Sequence, residues 1–548
     1  MERRYKYKLI AILLIGIAFY TSMSYTQVLD YVYFDDFRKY EFRQIKEDTA
    51  ETKKFQFEEF WGTPVEHLHL YAYRAAESSW ELIPFQIDEM GPDKYYAPDN
   101  GEWDDKDELV FMVQDLGDKV TPGNWINDAQ ALSNPRYEIM VFDTLDRTQK
   151  GWAYLYKSST ITEKPANYMK YYSGQDSVTS RFYKVGYSEN GVLRSFAVTT
   201  EGGGSDVDLL DRQKTRIVGL AMPAGEYEFN ENYFVKTRID YKEGPIRVLR
   251  RIISDVIIAG DTWWAGVEMS SRFYPFSMSY SGQWAIPQML GADLLRQSLD
   301  FDADAIGMSF HSTNNRNISV DGEPEPAGAV DDSLQHNALN WMMLTGNQGT
   351  IFIVNDLSFV GFSQRLYYWD NASGSTGDET QDTGDNKSYG DMGIVYRGDR
   401  MKDTLSYRST IFFLPKNQSP DIGEPMQDDL ANPLEASIHL ETFLASVDDL
   451  DPNGVPREFR FLQNHPNPFN SSTVLSFELP KKSQVTLRIM NILGQTISVI
   501  VNKSLPAGRH DVAWNGLDSR GNEVVSSVYF ALLEAETYRA IKKLIMIK

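Results

Sequence analysis

The apolar side chains of this chain fall into short runs that are rich in Val, Ile, Tyr, Phe and Trp. Such runs are typical of β-strands, because β-branched and aromatic side chains suit a pleated surface. Helix-length amphipathic patterns are few, and residues 288–299 and 433–444 are the best candidates for helices. The chain is therefore predicted to be mostly β, with antiparallel strands. The predicted strands of the main region include residues 65–73, 80–86, 109–113, 137–142, 152–156, 233–239, 246–258, 262–268, 350–354 and 410–414.

The main region, residues 25–447, is longer than one ordinary sandwich domain. It is predicted to form either two packed β-sandwiches or one large supersandwich. A division near residue 230 is one way to split it, although no linker marks that position. No repeat of constant period is visible, which argues against a propeller or a solenoid.

Composition restricts the chemistry of the chain. Its 548 residues are 42% hydrophobic and 13% aromatic, enough for a sizeable core. Asp and Glu number 77 against 54 Lys and Arg, so the formal charge is −23 and no nucleic-acid partner is expected. The chain has no cysteine. Disulfides, covalently attached c-type haem and cysteine-ligated iron–sulfur clusters are therefore excluded, and neither haem nor an iron–sulfur cluster is expected.

Residues 1–24 have the organisation of a secretory signal peptide. A basic start precedes an apolar run over residues 9–20, and this run is shorter than the roughly 20 residues needed to cross a bilayer. The small residues Ser22 and Ser24 then offer a cleavage site. A cleaved signal is the prediction, and an uncleaved N-terminal anchor is the alternative. No later stretch is apolar enough to predict a transmembrane span after cleavage.

A change in charge marks a boundary near residue 450. Residues 461–548 carry ten Lys and Arg against six Asp and Glu, whereas the preceding main region is strongly acidic. Residues 448–460 between them combine acids, prolines and a glycine without periodicity, which is typical of an exposed linker. The tail then shows alternating runs over residues 473–479, 484–490, 510–514 and 528–534, which predict a small sandwich of about seven strands.

Several tail motifs occur in a recognisable order. They are Asn464-His465-Pro466-Asn467-Pro468-Phe469-Asn470, the run over residues 485–495, Ala507-Gly508-Arg509-His510, Trp514-Asn515-Gly516 and Val528-Tyr529-Phe530. Together they resemble the type A sorting domain of the type IX secretion system, which is similar in fold to the immunoglobulin-like (Ig-like) domain of the flagellar hook-capping protein. The motif residues carried over are Asn467, Pro468, Phe469, Asn470, Gly494, Gly508, Trp514 and Gly516. The tail departs from the family pattern at His465, Ser471 and Ser527.

The resemblance implies a protein that is secreted or held on the outer cell surface, with the type IX machinery as its partner. It implies passage through the inner membrane by the signal peptide and through the outer membrane with the tail as the address. Removal of the tail and attachment to surface polysaccharide both stay open. The alternative is a generic Ig-like module appended for spacing or adhesion.

Residues 99–108 hold six acidic side chains around a glycine turn. Carboxylates this close repel one another unless a cation or solvent screens them. Ca²⁺ uses six to eight oxygen ligands from flexible loops, and the spacing resembles an EF-hand loop without matching it. A calcium site is therefore one hypothesis, and a solvated acidic turn is the other. The candidate ligands are Asp99, Asp104, Asp105, Asp107 and Glu108.

Signals for catalysis are weak. Asp88 and Glu89 are the least arbitrary carboxylate pair for glycoside hydrolysis. His67 and His69 alternate along a predicted strand and would share one face, as a metal pair or as an ordinary polar face. A polar tract over residues 370–391 is either a flexible surface loop or a second cation- or ligand-contacting loop.

Aromatic pairs are the remaining functional signal. They could stack on sugar rings or pack in a β core, and they are Tyr95-Tyr96, Trp263-Trp264 and Tyr367-Tyr368-Trp369. The main region is predicted to be a non-catalytic binding or surface-structural module. The alternative is a carbohydrate-active hydrolase or lyase that acts on an extracellular polysaccharide, so catalysis is left open.

Overall fold

The computed structural model describes most of the chain beyond residue 56. The described residues are 57–89, 100–104, 107–121, 123–221, 225–285, 290–335, 339–356, 363–373, 383–401, 404–443, 459–462, 464, 467, 469–470, 472–536 and 538–547. The predicted signal peptide, residues 1–24, and nearly all of the predicted linker lie outside them, as do Asp99, Asp105 and Pro468.

The described residues are mostly β, as predicted, and the named strands pair antiparallel. The first six strands, β1 to β6, are Leu68–Arg74, Ser79–Leu82, Phe85–Glu89, Asp107–Phe111, Arg136–Phe142 and Lys150–Lys157. The strands β7 to β25 are Met169–Tyr172, Ser177–Ser180, Tyr183–Tyr187, Leu193–Val198, Leu210–Ala221, Gly225–Asn230, Phe234–Glu243, Val248–Ile258, Asp261–Tyr274, Ser277–Ala285, Leu290–Phe301, Ser309–Ser312, Ile318–Ser319, Leu339–Gly346, Gly349–Asp356, Ser363–Asn371, Ser388–Met401, Thr404–Leu414 and Glu435–Glu441.

Helical segments are short. The two α-helices of the described residues are α1, Ala129–Ser133, and α2, Gly423–Ala431. The 3₁₀ turns are Glu58–Phe60, Val65–His67, Val113–Asp115, Glu231–Tyr233, Ala303–Ala305 and Pro420–Ile422. The helices predicted for residues 288–299 and 433–444 are wrong, because these segments form most of β17 and β25.

The first sheet closes over a very long distance in sequence. Its strand order is β2-β1-β6-β5-β25, so the last strand, Glu435–Glu441, comes from far beyond the other four. Arg136 on β5 donates to Glu441 on β25 at 2.7 Å, although 305 positions separate them. The strands β7 to β24 are thus inserted between β6 and β25.

The inserted strands form one large sandwich. A five-stranded sheet, β12-β11-β17-β23-β22, and a nine-stranded sheet, β13-β14-β15-β16-β24-β21-β20-β18-β19, contribute to one core together with the four-stranded sheet β10-β9-β8-β7. The division considered near residue 230 does not separate these sheets. Strand β11, before that residue, pairs along its length with β17, after it.

The nine-stranded sheet is buried on both faces where its central strands lie. On β20, Met342 and Leu344 face the large core, whereas Trp341 and Met343 face a second core that includes Met426 of α2. Strands buried on both faces need apolar residues at successive positions. This explains the uninterrupted apolar runs that the sequence shows at residues 351–354 and 411–414.

The tail forms a separate two-sheet sandwich, as predicted. Its strands β26 to β32 are Arg460–Phe461, Thr473–Leu479, Ser483–Met490, Thr496–Leu505, Gly508–Trp514, Ser527–Ala535 and Tyr538–Met546. They form sheets in the orders β26-β27-β30 and β29-β28-β31-β32, which enclose their own core. The described part of the tail thus has the seven strands expected of a small Ig-like sandwich.

Candidate functional site

The β3–β4 hairpin carries most of the predicted site residues, and it lies between two cores. Asp88 is paired with Glu108, and Glu89 with Asp107, in the antiparallel register. Ile87 and Leu109 belong to the core of the first sheet, while Val110 belongs to the core beside the nine-stranded sheet. Because successive side chains of a strand point to opposite faces, the four acids are sorted into two pairs on opposite faces.

On one face a buried arginine joins the hairpin to the large sandwich. Arg247, just before β14, donates from Nε to Asp88 at 2.6 Å and from Nη2 to Glu108 at 2.7 Å. All three side chains are at most 2% exposed. Lys242 adds a contact of 2.9 Å to Asp88. Gln86 donates to the same carboxylate and accepts from the backbone N–H of Arg247.

These contacts keep the network charged. Burial raises the pKa of Asp88, but Arg247 and Lys242 lower it by more, so its pKa lies below the ordinary value. Burial lowers the pKa of Arg247, but the two carboxylates raise it well above its ordinary value. The carboxyl pair Asp88 and Glu89 suggested for glycoside hydrolysis does not exist as a pair. The two side chains lie on opposite faces of β3, and the Asp88 carboxylate is ion-paired with Arg247.

On the other face three carboxylates converge. Ligand oxygens of Glu89, Asp104 and Asp107 all lie within 4.8 Å of one another. The structure therefore brings together two of the predicted ligands, Asp104 and Asp107. It does not bring Glu108 there, since this side chain points to Arg247. The predicted ligands Asp99 and Asp105 lie outside the described residues.

Glu89 was not among the candidate ligands predicted from the sequence, where it was considered only as a member of the carboxyl pair. Its side chain is 5% exposed, and Oε2 is buried with no hydrogen-bond partner among the described residues. Glu89 ends β3 and Asp107 begins β4. The pairing register of these two strands places the two side chains next to each other, and the sequence alone does not give that register.

Backbone hydrogen bonds hold the segment that carries Asp104. Val65 N–H donates to the carbonyl of Gly101, and Trp103 N–H donates to the carbonyl of Thr63, at 3.0 and 2.8 Å. Asp104 N–H donates to Asp107 Oδ2 at 2.7 Å. Residues 100–104 are thereby attached both to the entry of the first sheet and to the hairpin.

His67 and His69 lie in different elements. His67 ends a 3₁₀ turn, whereas His69 lies in β1, so the two are not alternate residues of one strand. His69 is buried and contacts the carbonyl of Ser158 at 2.9 Å, and burial lowers its pKa. His311 is also buried, and its Nδ1 accepts from the N–H of Asn317. Burial, helped by Arg316, lowers the pKa of His311 to about 4.

The second polar tract, predicted as a loop over residues 370–391, includes the end of β22 and the start of β23 as well as the connection between them. Its residues 374–382 lie outside the described ones. Asp385 of this tract brings a carboxylate oxygen within 4.8 Å of oxygens of Asp211 and Asp300. Asp300 is also paired with the buried Lys214 at 2.6 Å. A protein cation thus already neutralises one member of this cluster. At the start of the tract, burial raises the pKa of Asp370 to about 6.

The aromatic residues of the described pairs pack against other side chains rather than lying fully exposed to solvent. Trp264 is 5% exposed in the large core, and Trp263 packs against the ring of Phe229. Tyr368 is stacked on Phe310 with ring centroids 4.2 Å apart. Tyr367 and Trp369 are half-buried, and the guanidinium carbon of Arg296 lies 4.2 Å from the centroid of the Tyr367 ring. Residues 95–96 lie outside the described residues.

Asn467 and Phe469 of the tail motif hydrogen-bond to the last strand, β32. Asn467 Oδ1 accepts from the N–H of Ile545 at 2.7 Å, and Nδ2 donates to the carbonyl of Lys543 at 3.2 Å. Phe469 N–H donates to the carbonyl of Ile545, and its own carbonyl accepts from Ile547. This makes a short parallel bridge beside β32.

The remaining motif residues shape the sandwich. Phe469 is buried, and its ring packs against Trp514, which is also buried. Gly494, Gly508 and Gly516 all have positive φ angles, where a side chain is disfavoured. The motif residues that the structure describes here therefore have packing and turn-forming roles.

The tail also exposes apolar side chains. Asn470 is exposed at the end of the motif. Seven of the fourteen exposed large apolar residues of the described chain lie in the tail, and they are Val474, Ile492, Leu493, Val499, Val525, Ile541 and Ile547. Scattered exposed apolar residues are normal, but Ile492 and Leu493 are adjacent and 67% and 77% exposed. The turn before β29 therefore presents an apolar surface to solvent.

Comparison with known families identifies the tail. Residues 464–537 match the FlgD Ig-like domain, so the chain has an Ig-like C-terminal segment. No curated protein matches the chain. No helix among the described residues has the length and apolarity needed to cross a membrane.

Solved structures resemble the chain only weakly. An α-mannosidase from Enterococcus faecalis is 9% identical with a TM-score of 0.37, covering 85% of this chain and 52% of its own. The chain thus spans about half the length of that enzyme. PorZ, a surface component of the type IX secretion system of Porphyromonas gingivalis, is 10% identical with a TM-score of 0.13, covering 88% and 73%. Latent PorU from the same organism is 9% identical with a TM-score of 0.15, covering 80% and 35%.

Proposed function

We propose that the chain is a secreted or outer-surface protein of the type IX secretion route, and that residues 461–548 are its sorting domain. The observation that carries this proposal is the Ig-like match of residues 464–537 combined with the ordered sorting motifs of the tail. The signal-like leader, residues 1–24, supplies the first membrane crossing in this proposal. The apolar turn at Ile492 and Leu493 offers the machinery a contact surface.

The main region acts in this proposal as a non-catalytic binding or surface-structural module. Its best carboxyl pair for hydrolysis is divided between two faces of β3, and one member is held by Arg247. Among its described aromatic pairs, Trp264 and Tyr368 are buried in the core and Trp263 packs against it. A surface component, including an extracellular polysaccharide, is the partner class that fits an exported acidic module.

A transport experiment tests the sorting role. A periplasmically exported reporter is fused to residues 461–548 and produced in a bacterium that has the type IX system and in a strain that lacks it. We expect the reporter outside the cell only in the first strain. The matched control is the same reporter with an Ig-like sandwich of equal size that has no Asn-Pro-Phe motif. Periplasmic retention of the tail fusion in both strains would refute the sorting role.

A second experiment tests the module role. The purified full chain is incubated with extracellular polysaccharides, and both co-sedimentation and the release of reducing or unsaturated ends are followed. Binding without release of new ends supports a non-catalytic module. Release of new ends that scales with protein concentration contradicts it and favours a hydrolase or lyase.

A further inference from the structure

We propose that Glu89, Asp104 and Asp107 together bind one Ca²⁺ ion at the loop end of the β3–β4 hairpin, where β3 ends and β4 begins. This inference stands apart from the export route, since it rests only on the geometry of the hairpin. The three residues come from β3, from the segment at residues 100–104 and from the start of β4.

The spacing of the oxygens fits this ion. Ca²⁺ binds oxygen at 2.3–2.6 Å, so two oxygens on opposite sides of one ion are at most about 5 Å apart. The three carboxylate oxygens lie within 4.8 Å of one another. Mg²⁺ demands near-ideal octahedral geometry at about 2.1 Å, whereas Ca²⁺ accepts the irregular set of oxygens that three separate chain segments supply. Second carboxylate oxygens, backbone carbonyls or water complete the coordination of the larger ion.

Glu89 gives the independent sign that a ligand belongs here. It is 95% buried, and its Oε2 has no hydrogen-bond partner among the described residues. The nearby arginine does not serve it, because Arg247 contacts Asp88 and Glu108 on the opposite face of the hairpin. A buried carboxylate beside two further carboxylates is costly unless a positive charge is present. A bound cation supplies that charge.

The ion would act as a clip. Asp104 belongs to a segment that is hydrogen-bonded to residues 63 and 65 at the entry of the first sheet, while Glu89 and Asp107 belong to the hairpin. The hairpin in turn contacts the large sandwich through Arg247. Binding would therefore hold the first sheet, the hairpin and the large sandwich in one arrangement.

Thermal unfolding of the full chain tests the site. The wild type is compared in EDTA, in Ca²⁺ and in Mg²⁺, beside Glu89→Gln and the matched control Glu102→Gln, whose side chain is exposed two residues from Asp104. We expect saturating Ca²⁺ to raise the Tm of wild type and of Glu102→Gln by at least about 2 °C, and to leave Glu89→Gln unchanged. In EDTA, Glu89→Gln should be at least as stable as wild type, because it removes an uncompensated buried charge.

Terbium luminescence gives a second readout that does not depend on stability. Tb³⁺ takes calcium sites and is excited through neighbouring tryptophans, and Trp103 adjoins Asp104. We expect luminescence that Ca²⁺ displaces, lost in Glu89→Gln and in Asp104→Asn and weakened in Trp103→Phe. The proposal is overturned if wild type shows neither a calcium-dependent Tm nor displaceable luminescence, or if Glu89→Gln and Asp104→Asn bind the ion as wild type does.

Discussion

Replacing Arg247 with methionine should destabilise the protein strongly. The substitution keeps an unbranched apolar stem but removes the cation that bonds Asp88 and Glu108 at 2.6 and 2.7 Å. Lys242 still contacts Asp88, so the larger penalty falls on Glu108, which is 2% exposed. Breaking a buried ion pair by removing one partner costs about 3–5 kcal/mol. We expect a loss of that size at pH 7 in the urea-unfolding transition that includes the hairpin.

The pH dependence separates this mechanism from a simple packing defect. Since the folded pKa of Asp88 is lowered, its contribution to stability is present above its unfolded pKa of about 3.9 and is lost as the pH falls through the lower folded value. Acidification should therefore reduce the difference in free energy of unfolding between wild type and Arg247→Met. Combining Arg247→Met with Asp88→Asn and Glu108→Gln should recover much of the loss. A loss below about 1 kcal/mol at pH 7, or one that does not change with pH, would refute the reasoning.

Three further outcomes are expected. Gly423→Ala should cost about 1–3 kcal/mol in urea unfolding, because its Cβ would lie 2.2 Å from ring atoms of the buried Trp341, whereas Gly174→Ala, with nothing within 4 Å, should be neutral. Asn467→Ala should speed hydrogen exchange of the β32 amides measured by mass spectrometry, and unchanged exchange would contradict the fastening role. Because the pKa of His311 is lowered in the folded state, the unfolded state binds a proton more readily as the pH falls from 6.5 to 4, and wild type loses stability. We expect His311→Gln to lose less stability over this pH range, as measured by thermal unfolding.

Local patterns were sufficient where a strand has one buried face. The run over residues 473–479 coincides with β27, whose burial alternates over its first half. The segment over residues 288–299 has a helix-length amphipathic pattern, and for this reason the sequence predicts a helix there. In β17 both faces are buried, so Arg296 and Asp300 are covered as fully as Leu295. Alternation of apolar and polar residues predicts a strand only where one face is exposed to solvent, so it does not detect a strand such as β17.

The candidate site was predicted in part for a similar reason. The acidic spacing identified Asp104 and Asp107, because both lie in one short stretch of sequence. It also included Glu108, which strand alternation turns toward Arg247. Glu89 comes from the opposite strand, and only the pairing of β3 with β4 places it beside Asp107. Sequence spacing records neighbours along the chain, whereas register decides neighbours across it.

The position of β25 at the edge of the first sheet has a consequence for the order of folding. Joining Arg136 to Glu441 through an unfolded loop of 305 residues would cost about 5 kcal/mol of chain entropy. If strands β7 to β24 fold first, most of this loss of chain entropy has already occurred, because the folded sandwich holds the two ends of the inserted segment close together. We therefore expect strands β7 to β24 to fold first and β25 to join the first sheet late in folding.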